Sequence, residues 1–392
     1  MTSVFGRRAA AGIVGCVAFL AIGWTSLLVP SLIREVERSF GQSDAGIGVF
    51  YFVNAVAYVA GSLVGGIITE RIGRRGVLAL GALLAGLGLV AQVIPSWTVF
   101  LVAAVPRGLG SGAIDAGVNG MFLDLYPDAR GRALNIVHLF FALGALASPL
   151  AVGFLVDAGF SWQQVLLGSG VAMLPLTALF VLVEVPSGRR HRAAVGDAVG
   201  GVRVPVVLPL LALALAIGCY VAAEVGVSNW LVRFLDPAPL AVATAALSLF
   251  WGGLTLGRLV SARIADRFDH VHFTIAFAVA SSVAVVAAVF VPSLPLSIAL
   301  FAFVGFAYGP IYPMIMAIGG ERYPDRSAAV SGFLGATSVA GSVVYPPVMG
   351  FLSVAVGLTA AMLGTAVLGF ASVAALLVAR SQARRAAGAG AA

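Results

Sequence analysis

Four ionisable side chains sit inside apolar stretches of the chain: Arg107, Asp115, Glu224 and Arg258. A charge at such a position is costly in lipid and is kept where it faces a cavity or a partner. Asp115 and Asn119 are four residues apart, so on a helix they share one face, with Ser111 one turn earlier. Tyr220 and Glu224 repeat the spacing, and Asn229 and Trp230 follow them. Hydroxyls and amides in this pattern offer hydrogen bonds to a polar solute, and the carboxylates can carry a proton. Asp115 and Glu224 are therefore the expected proton-coupling residues. His138 adds a group that titrates near neutrality when unperturbed. Trp24, Asn54, Tyr308 and Tyr312 are further polar aromatics and amides in apolar runs, where rings can stack on a solute. With Asp115, Asn119, His138, Glu224 and Asn229 they make up the expected substrate contacts.

These residues need helices to hold them. The 392 residues are 60% hydrophobic and 10% charged, with a mean hydropathy of +1.05. Soluble domains carry roughly a quarter charged residues, so most of this surface must face lipid. Runs of about 20 apolar residues span a bilayer as helices. They predict spans at 10–32, 44–69, 76–95, 97–123, 133–157, 163–184, 205–232, 239–262, 271–291, 293–319, 328–354 and 357–379. The expected fold class is an all-α membrane protein of twelve transmembrane helices. Gly309-Pro310 and Pro313 interrupt the tenth span, and Pro346-Pro347 the eleventh. The two cysteines, Cys16 and Cys219, lie in apolar runs, which argues against a disulfide framework. There is no metal-ligand spacing, nucleophile–base pair or phosphate loop, so neither an enzyme nor a cofactor is expected.

Every basic residue is Arg. With the N-terminus inside, the Arg clusters at 7–8, 71–75, 130–132, 189–203, 263–267, 322–326 and 380–385 fall on the cytoplasmic side. Only Arg34, Arg38 and Arg233 are left outside. This asymmetry sets orientation, so both termini are expected in the cytoplasm of a cell whose inner (plasma) membrane holds the protein. The net charge of +7 is scattered through short loops and forms no continuous basic face, which excludes nucleic acid as a partner. The expected partners are the bilayer, protons and a small solute, and a monomer is the expected state.

The longest polar stretch divides the chain into an N-terminal six-helix bundle (1–185), a cytoplasmic linker (186–203) and a C-terminal six-helix bundle (204–392). The halves repeat. GSLVGGIITERIG at 61–73 aligns with GRLVSARIADRFD at 257–269, and Tyr126-Pro127-Asp128 recurs as Tyr323-Pro324-Asp325. Parallel repeats of this kind suit two bundles that rock about a central site.

Gly66-Ile67-Ile68-Thr69-Glu70-Arg71-Ile72-Gly73-Arg74-Arg75 resembles the signature loop of the major facilitator superfamily, with Glu where Asp is usual. The resemblance implies a charged latch of Gly66, Glu70, Arg71, Gly73, Arg74 and Arg75, echoed by Asp266 and Arg267 in the second half. Gly66 is expected to let a neighbouring helix approach closely. Three segments, GLGSGAIDAGVNG, RALNIVHLFFALGA and CYVAAEVGVSNWLVRFL, resemble the fucose:proton symporter family of sugar permeases. That resemblance implies that Asp115 carries the proton and faces the sugar, that His138 stands at a polar position of the fifth helix, and that Glu224 serves in the seventh. The family's helix-one acid has no counterpart before Pro30, where Ser26 stands. The implied function is proton-coupled symport of a sugar-like solute by alternating access. Gly144 to Gly153 partly matches an antiporter motif, which keeps proton-driven efflux of a drug or metabolite as the alternative.

Overall fold

The computed structural model of the protein describes residues 2–186 and 207–389. Among them, twelve helices are long and apolar enough to cross a membrane. They are α1 (Arg8–Phe40), α2 (Asp44–Thr69), α3 (Arg71–Ala91), α4 (Trp97–Leu125), α5 (Arg130–Asp157) and α6 (Trp162–Leu182). The second set is α7 (Leu208–Phe234), α8 (Leu240–Arg267), α9 (His270–Phe290), α10 (Leu294–Arg322), α11 (Ala329–Val356) and α12 (Leu358–Gln382). No strand occurs among the described residues. A helix satisfies its backbone polar groups within one segment, which is what lipid demands.

The helix ends follow local chemistry. Ser96 caps α4 by accepting from the Val99 amide, and Ser161 forms a reciprocal capping box with Gln164 at the start of α6. Gly73 takes φ +74°, a conformation open to glycine, and breaks the path from α2 into α3. α10 turns at Gly309-Pro310 between Tyr308 and Ile311, as the proline predicts, whereas α11 runs unbroken through Pro346-Pro347.

One boundary departs from expectation. α1 bends at Leu27 (φ −96°, ψ 0°) and continues to Phe40, eight residues beyond its expected end at 32. Arg34 and Arg38 thus belong to a helix and not to a loop. The extension is strongly amphipathic: Leu28, Val29, Leu32, Ile33 and Val36 are fully buried, and its polar residues had concealed that stripe.

The described chain forms two compact units. Unit 1 comprises Met1–Gln42, Val49–Asp197 and Leu240–Ala245; unit 2 comprises Ser43–Gly48, Ala198–Pro239 and Ala246–Ala392. The first turn of α2 thus groups with unit 2, and the first turns of α8 with unit 1. The expected linker lies, apart from Pro186, outside the described residues.

Within unit 1, α1 packs on α5; within unit 2, α7 packs on α11 and α12. Glycines permit the close crossings. A Cβ on Gly144 would strike the Leu20 carbonyl at the α1–α5 crossing, and one on Gly341 would strike the Gly218 carbonyl between α7 and α11. At the α2–α4 crossing the blocking pairs are Gly61 with Leu109, Gly108 with Asn54 and Gly112 with Tyr58. At α8–α10 they are Gly257 with Phe306, Gly305 with Phe250 and Gly309 with Leu254. The two sets superimpose in sequence at the spacing seen in the motif repeat. The helix C-caps agree as well: Tyr126 has φ −127°, ψ 62° and Tyr323 has φ −130°, ψ 61°. Lipid gives helices no hydrophobic reason to associate, so close backbone packing at small residues takes over that role.

Candidate functional site

In unit 1 the α2–α4 crossing builds a carboxylate site. Gly112 brings α4 against the Tyr58 backbone, and Asp115 follows one turn later. The Tyr58 hydroxyl hydrogen-bonds to the Asp115 carboxylate. Asn119 Nδ2 donates to Asp115 Oδ1 at 3.2 Å and to the Asp115 carbonyl at 3.0 Å, as the four-residue spacing requires. Asp115 has hydrogen-bond donors around it but no cationic partner among the described residues. The Oδ1 atoms of Asn54 and Asn119 are buried without a hydrogen-bond partner. Buried acceptors without donors are expensive unless something fills the role. These two can take hydrogen from a hydroxyl-bearing solute.

Arg107 lies two turns before Asp115 on α4 but serves another purpose. Its Nη2 donates to the Thr25 carbonyl at 2.6 Å, just before the α1 bend, and its Nη1 to Gln92 Oε1 at 3.3 Å. The guanidinium lies 5.7 Å from the Phe50 ring centroid. It therefore braces α1 and leaves Asp115 unneutralised. Trp24 Nε1 donates to Ser169 Oγ at 3.0 Å, tying α1 to α6. His138 meets Phe19 edge-on at 5.3 Å. Ser26 donates back to the Ile22 carbonyl at 2.6 Å, so it is satisfied within its own helix.

In unit 2 Glu224 and Tyr220 lie buried on α7. The Tyr220 hydroxyl donates to the Tyr308 carbonyl on α10 at 3.0 Å and is also in hydrogen-bonding contact with Glu224. Tyr308 stacks edge-on against Tyr220 at 5.6 Å, and its own hydroxyl is buried without a partner. Arg258 of α8 faces Glu224 electrostatically. Tyr312 is half-buried at the repeat position of Asp115, three residues past the crossing glycine. Asn229 is likewise half-buried on α7.

The sequence profile of the Major Facilitator Superfamily matches residues 13–268 and again 235–391. The chain belongs to the Major Facilitator Superfamily. Among its relatives within this superfamily is an uncharacterised transporter, YfkL, of Bacillus subtilis, 25% identical over 377 residues, covering 91% of this chain and 93% of that one. Sodium-dependent glucose transporter 1 of Rattus norvegicus is 28% identical over 134 residues, covering 34% of this chain and 28% of that one. The fold is that of a bacterial homologue of the human lysosomal transporter Spinster (TM-score 0.79, 15% identity, 95% and 97% coverage). It is also that of the transporter FucP (TM-score 0.64, 18% identity, 95% and 99% coverage). The protein is thus a multi-pass membrane transporter of this superfamily.

The superfamily's signature loop is only partly as the sequence suggested. Arg74 is buried and pairs with Asp124 at the end of α4, at 2.7 Å, while also donating to the Pro186 carbonyl at 3.3 Å. Arg71 and Arg75 are exposed, Gly73 supplies the backbone break, and the side chain of Glu70 lies outside the described residues. The close helix approach expected at Gly66 is absent: a Cβ there would meet open space, and Gly61, Gly65 and Gly112 make the contacts instead. The matching loop of unit 2 leaves the Asp266 side chain fully exposed, 3.8 Å from His270, and Arg267 exposed. Two partners escaped the sequence reading. Tyr58 could have been found from its i, i+4 spacing to Asn54. Asp124 carried no signal, because it reads as a loop acid after α4.

Proposed function

We propose that the protein is a secondary active transporter that moves a small polar solute of the sugar class together with protons, by alternating access. The observation that carries this reading is the Asp115 cluster: a carboxylate within a spanning helix, held by Tyr58 and Asn119, without a countercharge among the described residues, beside unpartnered amide oxygens. A carboxylate so placed can take up a proton without breaking an ion pair. Its neighbours are hydrogen-bonding groups suited to hydroxyls, unlike the mainly apolar lining a lipophilic drug needs. The narrower resemblance to the fucose:proton symporter family supports the same assignment, and the likeness to a sodium-dependent glucose transporter supports the sugar class. On this reading the N-terminus and C-terminus face the cytoplasm of a cell whose inner membrane holds the protein. Arg74, Arg71, Arg75 and Glu70 then act as the latch that biases which side is open.

The test uses de-energised cells expressing the protein in weak buffer. Addition of a transported sugar raises external pH, and Asp115→Asn abolishes that rise and gradient-driven accumulation while sparing counterflow exchange. Normal accumulation by Asp115→Asn overturns the coupling role. Proton movement on adding lipophilic cations, with no response to any sugar, moves the assignment to efflux.

A further inference from the structure

Unit 2 holds a cation with no ion-paired anion among the described residues. Arg258 lies inside α8, nine residues before Arg267 at the end of that span. It forms no ion pair among the described residues, and its Nε is buried without a hydrogen-bond partner. Glu224 is its acidic neighbour in this cluster. A phenol has a single hydrogen to donate. Tyr220 gives it to the Tyr308 carbonyl at 3.0 Å. Glu224 stands beside the same phenol and faces Arg258 electrostatically. Arg258 is thus a cation near an acid, with its Nε unbonded and no ion pair among the described residues.

The repeat shows that the fold does not require this arginine. Arg258 follows Gly257, and Gly257 occupies the place of Gly61 in unit 1, where the next residue is Ser62. The same glycine-mediated crossing thus forms with a serine. The crossing also fixes where Arg258 stands: a Cβ on Gly309 would meet the Arg258 amide nitrogen at 2.6 Å, which sets the base of the side chain beside the residue after Tyr308. Arg258 is only half-buried, so part of the guanidinium stays reachable.

We propose that Arg258 anchors a carboxylate of the transported solute, with Tyr308 and Tyr220 beside it and Glu224 as the competing acid. The guanidinium fork matches a carboxylate in two parallel hydrogen bonds, which no hydroxyl can reproduce. The unpartnered Tyr308 hydroxyl is a further donor for the solute. With the solute bound, Glu224 stays protonated, since two carboxylates on one guanidinium repel. When Glu224 gives up its proton, its carboxylate takes Arg258 and expels the solute. The titratable groups facing this event are Tyr220 and Glu224 of α7, Arg258 of α8, Tyr308 of α10 and, behind it, Tyr345 of α11. The solute is therefore a small polar acid, such as a sugar acid. This rests on the reading of the protein as a proton-coupled transporter and narrows its substrate class.

The experiment uses the full chain in proteoliposomes with a trapped pH dye. The probes are gluconate, glucuronate and benzoate, set against glucose and benzamide. A carboxylate, and not its neutral counterpart, is expected to drive proton entry. Arg258→Gln loses that response, and Arg258→Lys raises KM about tenfold with little change in kcat, since a point charge replaces the fork. Glu224→Gln keeps carboxylate exchange but no longer moves protons with it. Arg258→Lys preserves the charge and serves as the folding-competent comparison. Absence of any carboxylate response in the parent overturns the proposal. So does carboxylate transport that Arg258→Gln and Arg258→Lys leave unchanged. Glucose-driven proton entry that Asp115→Asn removes and Arg258→Gln leaves intact sinks the acid site while the symport reading stands. No proton movement with any probe sinks both.

Discussion

The crossing glycine Gly112 ties stability to the site, and the cost of filling it can be worked from the structure. A Cβ at Gly112 would overlap the Tyr58 carbonyl, so α2 and α4 must separate before an alanine fits. Overpacking of this kind costs about 1–3 kcal/mol. Alanine also gains helix propensity over glycine, about 0.5–1 kcal/mol, in any helix interior. Gly66 lies in helix with open space around its would-be Cβ, so Gly66→Ala takes the propensity gain without the overlap. The difference between Gly112→Ala and Gly66→Ala isolates the overpacking term. For a cooperative unit of 150–250 residues, each 1 kcal/mol moves Tm by about 2–4 °C. Thermal unfolding of the detergent-solubilised protein should place Gly112→Ala several degrees below Gly66→Ala. Gly309→Ala, at the equivalent crossing of unit 2, should fall with Gly112→Ala. Because Tyr58 holds Asp115, Gly112→Ala should also impair solute-driven proton uptake more than its stability loss accounts for. Equal Tm values for Gly112→Ala and Gly66→Ala would refute the close-packing argument and, with it, the structural repeat as the basis of the crossings.

Two further outcomes follow from contacts at the ends of the spans. Asp124→Asn leaves the buried guanidinium of Arg74 without its carboxylate; a cost of about 1–3 kcal/mol is expected, read as a lower Tm, whereas Asp266→Asn, at a fully exposed carboxylate, should leave Tm unchanged. Asp269 caps α9: its carboxylate accepts from the His272 amide at 2.9 Å, and this holds its pKa below the ordinary carboxylate value. A depressed acid contributes stability above its unfolded pKa and loses it as pH falls through the folded value. Asp269→Ala should therefore cost about 1 kcal/mol near neutrality, with the gap in Tm from the parent closing as pH is lowered towards 3. A gap that widens on acidification would contradict the capping role.

Much of the architecture was legible because membrane insertion reads local hydropathy. The twelve spans and the glycines of the 61–73 to 257–269 repeat are carried by residues close in sequence. The amphipathic end of α1 was not legible, because Arg34, Glu35, Glu37 and Arg38 mask a buried stripe whose partners lie elsewhere. Gly66 shows the opposite error: a motif glycine invites a packing role that its surroundings do not supply. The pairing of Asp115 with Asn119 follows from helix spacing, but its bond to Tyr58 depends on how α2 crosses α4. Likewise the sequence marks Arg107 and Arg258 equally, as charges within apolar runs. Tertiary structure separates them: Arg107 is spent on the Thr25 carbonyl and Gln92, and Arg258 has no hydrogen-bonded acid among the described residues. The sequence alone determined that this chain is a bundle of spanning helices in two related halves, since lipid permits little else for so apolar a chain. Only the folded structure decided which buried charges are satisfied, because a hydrogen bond depends on ångström-scale separations between helices distant in sequence.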